Sequence, residues 1–84
     1  MGHKLRTKIR WRLWLKEAEM LLRSTGKEMR AAHIYEATKE KMPNRMPKNA
    51  NAAAQIMKID AEKRFYQTEM VDGGYHLYGL REWI

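Results

Sequence analysis

Hydrophobic residues recur with a helical period in the first third of the chain. Between residues 11 and 24 the apolar side chains fall three and four positions apart, which places them on one face of an α-helix. The members of this face are Trp11, Trp14, Leu15, Ala18, Leu21 and Leu22. Gly26 follows, and glycine is the usual residue at the left-handed position that ends a helix. The pattern predicts a first helix over residues 11–24 with Trp11 and Trp14 in the core, although tryptophans can also stack on unpaired bases.

Two further helices are predicted in the middle of the chain. Residues 30–41 place apolar side chains roughly on one face, and Pro43 and Pro47 then interrupt the helical pattern. Asn49 is a suitable N-cap for a third helix that runs to about Asp60. The expected inner face of this helix is Ala50, Ala53, Ile56 and Met57. Its expected outer face is Asn51, Ala54, Gln55 and Lys58.

The last third of the chain has a different pattern. Residues 64–71 and 75–80 are rich in aromatic and branched side chains, and Asp72-Gly73-Gly74 between them favours a tight hairpin, since glycine adopts positive φ at no cost. The order helix, connector, helix, loop, helix, hairpin predicts an α+β fold of the winged helix-turn-helix class, with three helices followed by a β-hairpin wing. The predicted core is Trp14, Leu15, Leu22, Ile34, Ile56, Phe65 and Leu80.

Composition limits the chemistry. With 84 residues the chain forms one small domain, and the absence of cysteine excludes disulfides and thiolate zinc sites. No apolar run approaches the roughly 20 residues of a transmembrane helix, and no signal-peptide pattern is present, so we expect an intracellular protein without membrane association. Neither the three histidines nor the single serine lies in a catalytic or metal-ligand spacing. We therefore expect no enzymatic activity, no metal and no cofactor.

The formal charge of +7 is unevenly placed. Residues 1–16 hold six basic and no acidic side chains, and residues 38–58 hold five basic side chains against Glu40 alone. Residues 59–84 are net negative. This distribution predicts that a polyanion contacts the N-terminus and the middle of the chain.

The N-terminal segment carries cations at alternating positions: Lys4, Arg6, Lys8 and Arg10. Alternation is typical of a strand with one cationic face. A membrane-surface helix is disfavoured, because Leu5 and Ile9 do not form a wide apolar face. A flexible arm on a phosphate backbone needs only dense positive charge. We favour a basic arm over residues 1–10 followed by a winged-helix domain over 11–84, with an extra strand or a solubilising tail as alternatives.

Residues 14–83 also resemble the HARE-type helix-turn-helix domains, a winged-helix family. The resemblance rests on "STGKEM", "AAHIYEATKEKM", "MPKNANAAAQIM" and "KRFYQ…GGYHLYGLREW". Its most specific part is the closing pattern of Phe65, Gly74, Tyr78, Leu80 and Trp83. The resemblance implies a DNA-binding or chromatin- and transcription-associated module without catalysis. Glu69 and Asp72 near the wing tip depart from a typical DNA-gripping wing.

The third helix is the natural element for reading DNA. In helix-turn-helix proteins the corresponding helix lies in the major groove, where Asn or Gln pairs with adenine and Lys reaches guanine. Asn51, Gln55 and Lys58 share one sector of this helix, although any surface helix has a polar face. The predicted phosphate contacts are Lys39, Lys41, Arg45 and Lys48, for which a solvated basic loop is the alternative.

The sequence therefore predicts a small double-stranded DNA-binding protein, a transcription regulator or accessory factor. The alternative is a winged helix that docks on transcription machinery proteins through an acidic, aromatic hairpin. That surface would comprise Tyr66, Tyr75, Tyr78, Glu69 and Asp72. The pattern does not specify a target site or an oligomeric state.

Overall fold

The computed structural model describes residues 11–71 and 73–84 of the chain. Within these residues, three helices and a small antiparallel sheet form an α+β winged helix-turn-helix, as predicted. The elements are α1 (Arg12–Thr25), β1 (Met29–Arg30), α2 (Ala31–Lys41), a 3₁₀ turn (Pro43–Arg45), α3 (Ala50–Lys58), β2 (Phe65–Gln67), β3 (Leu77–Leu80) and a second 3₁₀ turn (Arg81–Trp83). The proposed basic arm, with Lys4, Arg6, Lys8 and Arg10, lies outside the described residues, as does Asp72.

Local sequence signals end the first two helices where they were expected. Gly26 closes α1 at φ 72°, and its N–H donates to the Leu22 carbonyl at 2.8 Å. The N–H of Met42 donates to the Thr38 carbonyl and closes α2 just before Pro43. Both helices agree with the predicted bounds to within one residue, because glycine and proline constrain the backbone directly.

The sheet joins the connector after α1 to the wing. Its strand order is β1-β3-β2, with Met29 opposite Tyr78 and Phe65 opposite Leu80. The strands of the wing are shorter than the predicted 64–71 and 75–80. Regular pairing ends near Thr68, whose hydroxyl accepts from the Leu77 N–H at 2.9 Å.

Beyond this point an isolated bridge pairs Val71 with Tyr75. Gly73 and Gly74 lie between these two residues at positive φ, 100° and 78°, as the predicted tight turn requires.

All seven predicted core residues belong to one buried cluster. Trp14 is 1% exposed, and its indole N–H donates to the hydroxyl of the buried Thr38 at 3.0 Å. This bond joins α1 to α2 and satisfies the only polar atom of the indole. The core interpretation of Trp14 is therefore confirmed, and Trp11 packs against the edge of the same cluster.

The structure corrects the predicted outer face and end of the third helix. Ala54 was expected on the outer face, but it is only 8% exposed and belongs to the core. The helix packs against both α2 and β2, so its buried sector is wider than a single stripe. It ends at Lys58 rather than Asp60, because the Asp60 carboxylate turns inward and accepts the backbone N–H groups of Glu62 and Arg64, each at 3.2 Å.

Candidate nucleic-acid interface

Apolar residues anchor the turn between α2 and α3 to the core. Pro47 is fully buried, and Met42 and Met46 pack against the core. The N–H of Arg45 donates to the Met42 carbonyl at 3.0 Å and closes the 3₁₀ turn. The apolar members of the turn therefore face inward while Arg45 and Lys48 stay exposed.

Tyr35 links α2 to Lys48, which precedes the Asn49 cap of α3. Its hydroxyl donates to the Lys48 carbonyl at 3.2 Å, and the Lys39 ammonium lies 6.0 Å from the centroid of its ring. A cation at this distance from an aromatic face is weakly attracted to it. The helical pattern of residues 30–41 does not single out Tyr35, although it contacts two of the predicted phosphate contacts, Lys39 and Lys48.

The N-terminus of α3 is capped as predicted. The Asn49 side-chain carbonyl accepts the N–H of Ala52 at 2.8 Å, and the first turn contains no acidic residue. The remaining first-turn N–H groups and the positive end of the helix dipole therefore meet no negative charge from the helix itself. Such a helix start is suited to a phosphate.

The predicted base-facing residues all lie at the surface. Asn51, Gln55 and Lys58 are exposed on one sector of α3, opposite the buried Ala53 and Ile56. The four predicted phosphate contacts, Lys39, Lys41, Arg45 and Lys48, are exposed as well. We call these seven residues together the basic face, as a name for the set, although Lys39 and Lys41 are two positions apart on α2 and point to different sides of that helix.

Within the described part of the chain, the cations of the basic face form no ion pair. Every salt bridge found there involves a different set of residues, the ion-pair cluster, which includes Asp60 and Arg64 beyond the C-terminus of α3. Its members are Glu19, Arg23, Asp60, Glu62, Arg64 and Glu82. The basic face thus keeps its positive charge available to a ligand.

The ion-pair cluster is centred on Arg64, whose side chain is only 14% exposed. Its Nε donates to Asp60 Oδ2 at 2.7 Å, and one terminal nitrogen donates to Glu19 Oε1 at 3.1 Å. Burial lowers the pKa of Arg64, but the hydrogen bond and charge of Asp60 outweigh that effect and raise it. Arg23 bridges the exposed side of the cluster by donating to Glu19 and Glu82.

The aromatic surface predicted on the wing does not form as expected. Tyr78 is 4% exposed and its hydroxyl accepts a hydrogen bond from Gln67. The Tyr66 hydroxyl donates to Glu28, and this bond raises the pKa of Tyr66 to about 12. The Tyr75 ring is covered by Arg30 at 4.3 Å. Of the described members of that surface, only Glu69 is fully exposed.

Residues 11–71 and 73–84 contain no group of three or more histidine or acidic side chains arranged to hold a metal ion. None of the helices among them has the length and apolar character to cross a bilayer.

The chain matches no protein-family model, no curated protein and no solved structure. The HARE-type resemblance therefore rests on the quoted residues and stays a prediction.

Proposed function

We propose that this chain binds double-stranded DNA, with α3 in the major groove and the turn before it on the phosphate backbone. The observation that carries the proposal is the basic face. Its charges are exposed and unpaired among the described residues, and its polar side chains lie on the exposed sector of α3. Asn51 and Gln55 have the donor and acceptor pair that adenine requires, and Lys58 is a donor to guanine.

The role of such a protein would be that of a transcription regulator or accessory factor without catalysis. Docking on transcription machinery proteins through the wing has less support, because the tyrosines expected on that surface are buried or already bonded. The two functions predict different effects of substitutions in the exposed sector of α3. Only DNA binding depends on these residues, so only DNA binding should weaken when they are replaced.

The experiment is duplex binding by fluorescence anisotropy, on a preferred site selected from a random library and on a random-sequence duplex. We expect Asn51→Ala and Gln55→Ala each to lose about 1–3 kcal/mol on the preferred site and little on the random duplex. Ser24→Ala, a neutral exposed change on α1, is the matched control and should change neither. Alanine favours helix, so a loss at Asn51 would not reflect unfolding.

Absence of salt-sensitive duplex binding by the full chain would overturn the proposal. Equal losses of affinity on every DNA sequence would show that the two residues only position the protein on the duplex and do not read bases. Unchanged binding in both variants would remove α3 from the interface.

Residues 1–10 are proposed to add non-specific affinity. Log K should fall with log salt by about 0.9 per phosphate neutralised, so deleting this segment should flatten the slope by up to about 3–4 units. The truncated chain should melt near the full-length temperature. An unchanged slope would make the segment a spectator, and a large loss of stability would make it structural.

A further inference from the structure

A second group of basic side chains lines a cleft on one side of the wing. The cleft has a volume of about 330 Å³ and lies between the start of α2 and the wing. Lys27, Arg30 and His33 line it. These residues follow one another at intervals of three across the connector and the first turn of α2, outside the basic segments identified from the sequence.

The side chains of this cleft are suited to an oxyanion. Arg30 is held with its guanidinium over the Tyr75 ring, 4.3 Å from the centroid, which orients its planar set of donors. A guanidinium in a fixed plane matches the oxygen geometry of a phosphate. Lys27 and His33 are exposed and supply further N–H donors. None of the three forms an ion pair among the described residues.

The acid in the same cleft is already bonded. Glu28 lines the cleft, but its carboxylate accepts the hydrogen of the Tyr66 hydroxyl. The carboxylate keeps its negative charge but is held toward Tyr66 on β2, and no salt bridge joins it to Lys27 or Arg30. These two cations outnumber it, so the cleft has a net positive charge. Thr25, Met29, Tyr75 and Leu77 also line the cleft.

The opposite edge of the sheet carries an acid. The strand order β1-β3-β2 places Arg30 of β1 at one edge and β2 at the other. Glu69, two residues beyond β2, is exposed. An exposed carboxylate repels a phosphate backbone, so that edge is a poor place to hold DNA, whereas the cleft beside β1 carries Lys27 and Arg30.

We infer that the cleft binds a phosphate group and that DNA is held on the wing side at this cleft. The DNA source of that phosphate rests on the proposed function, whereas phosphate recognition itself does not. Bound in this way, a duplex would be held by the basic face at α3 and by a second contact at Lys27 and Arg30.

The test compares two double variants of the full chain with equal charge change. Lys27→Gln with Arg30→Gln removes the cleft cations, and Lys63→Gln with Arg81→Gln removes two exposed cations elsewhere. On a random-sequence duplex we expect the cleft variant to flatten the salt slope by about 1–2 units and to lose about tenfold in affinity per contact at 0.1 M salt. The control should keep the slope of the unaltered chain. If the cleft double variant has a lowered melting temperature, Lys27→Gln alone, at an exposed position, replaces it in the comparison.

A second measurement separates the sources of phosphate. The NMR signals of the Arg30 and His33 side chains are followed while inorganic phosphate is added to the full chain. Shifts that saturate, together with a flattened duplex slope, support the inference for DNA. Saturating shifts in a chain that binds no duplex support a site for free phosphate and overturn the proposed function.

If the duplex binds but the two double variants behave alike, the inference is overturned and the proposed function stands. If neither phosphate nor duplex shifts the cleft signals, phosphate recognition at the cleft is overturned outright.

Discussion

Within the part of the chain that the structure describes, charged side chains in the segment after α3 form ion pairs, whereas those in the turn before α3 do not. Past the C-terminus of α3, Arg64 is largely buried and satisfied by Asp60, Glu19 and Glu62. Before the N-terminus of α3, Arg45 and Lys48 are exposed and lack an ion-pair partner among the described residues. The ion-pair cluster connects elements far apart in sequence, whereas the basic face leaves its charges to solvent.

The two sets of charges are expected to serve different purposes: the ion-pair cluster stabilises the fold, and the basic face recognises DNA. Buried, hydrogen-bonded ion pairs are costly to break, because removing one partner strands the other charge. Exposed cations contribute little to folding but dominate attraction to a polyanion. We therefore expect substitutions in the ion-pair cluster to change unfolding and substitutions in the basic face to change DNA binding.

The largest effect is expected at Arg64. Replacing it with methionine keeps much of the apolar stem but leaves the Asp60 carboxylate, whose side chain is 2% exposed, without its cation. The free energy of unfolding should fall by about 2–4 kcal/mol. Denaturant midpoints measure this loss, and Arg81→Met, at an exposed arginine, is the matched control. Equal losses in both variants would show that the cluster does not stabilise the fold.

The next largest effect is expected on the basic face. Arg45→Gln with Lys48→Gln should flatten the salt slope of duplex binding by up to about 1.8 units, since each phosphate contact contributes about 0.9. The melting temperature should stay close to that of the unaltered chain, because both side chains are exposed. Lys63→Gln with Arg81→Gln carries the same charge change and should leave binding intact. If the control lost as much affinity, net charge rather than the basic face would explain binding.

Much of the fold could be predicted because its signals are local. The spacing of Trp14, Leu15 and Leu22 depends only on the helical period, and the turns at Gly26 and Pro43 depend only on single residues. Ala54 was misplaced because its burial depends on two neighbours of α3, which no periodicity in one helix encodes. The wing strands were predicted too long for a similar reason, since the Thr68 hydroxyl replaces a backbone partner in the ladder.

The candidate site was predictable in its exposure but not in its charge pairing. Asn51, Gln55 and Lys58 lie on the surface as the helical wheel required. Which cations are neutralised is a tertiary property: Arg64 meets Glu19 across 45 positions of sequence. Net charge counted segment by segment could not distinguish Arg64, which is neutralised by acidic partners, from Arg45, which has none among the described residues. Such counts also missed Arg30, whose orientation depends on the Tyr75 ring.

A smaller effect is expected at the bond between Tyr66 and Glu28, which belongs to neither the ion-pair cluster nor the basic face. Tyr66→Phe should cost about 0.5–1.5 kcal/mol of unfolding free energy at neutral pH. The same variant leaves the basic face untouched, so binding to a random duplex should change little. Denaturant midpoints and anisotropy on one protein preparation test both statements.

The pH dependence of this bond has a definite sign. The pKa of Tyr66 rises from 10.0 to about 12 in the folded chain, chiefly because its hydroxyl donates to Glu28. The folded state then holds more protons than the unfolded state between these values, so stability is lost as pH rises from about 10 to 12. The difference between the unaltered chain and Tyr66→Phe should stay constant from neutral pH to about pH 10 and shrink above it. A difference that persists at pH 12 would contradict this assignment.

The smallest effect is expected at the exposed edge of the ion-pair cluster, where Glu82 meets Arg23. The Arg23 hydrogen bond is the main cause that lowers the pKa of Glu82 below its usual 4.5. A carboxyl with a lowered pKa stabilises the fold above its unfolded pKa, and that stability is lost as pH falls through the folded value. The unaltered chain should therefore exceed Glu82→Gln slightly in denaturant midpoint at pH 7, and the two should converge well below pH 4.5. Duplex binding at pH 7 should be the same for both, because Glu82 lies outside the basic face. A clear gain in duplex affinity for Glu82→Gln would show that the ion-pair cluster lies close enough to DNA to repel it, and the separation of the ion-pair cluster from the basic face would fail.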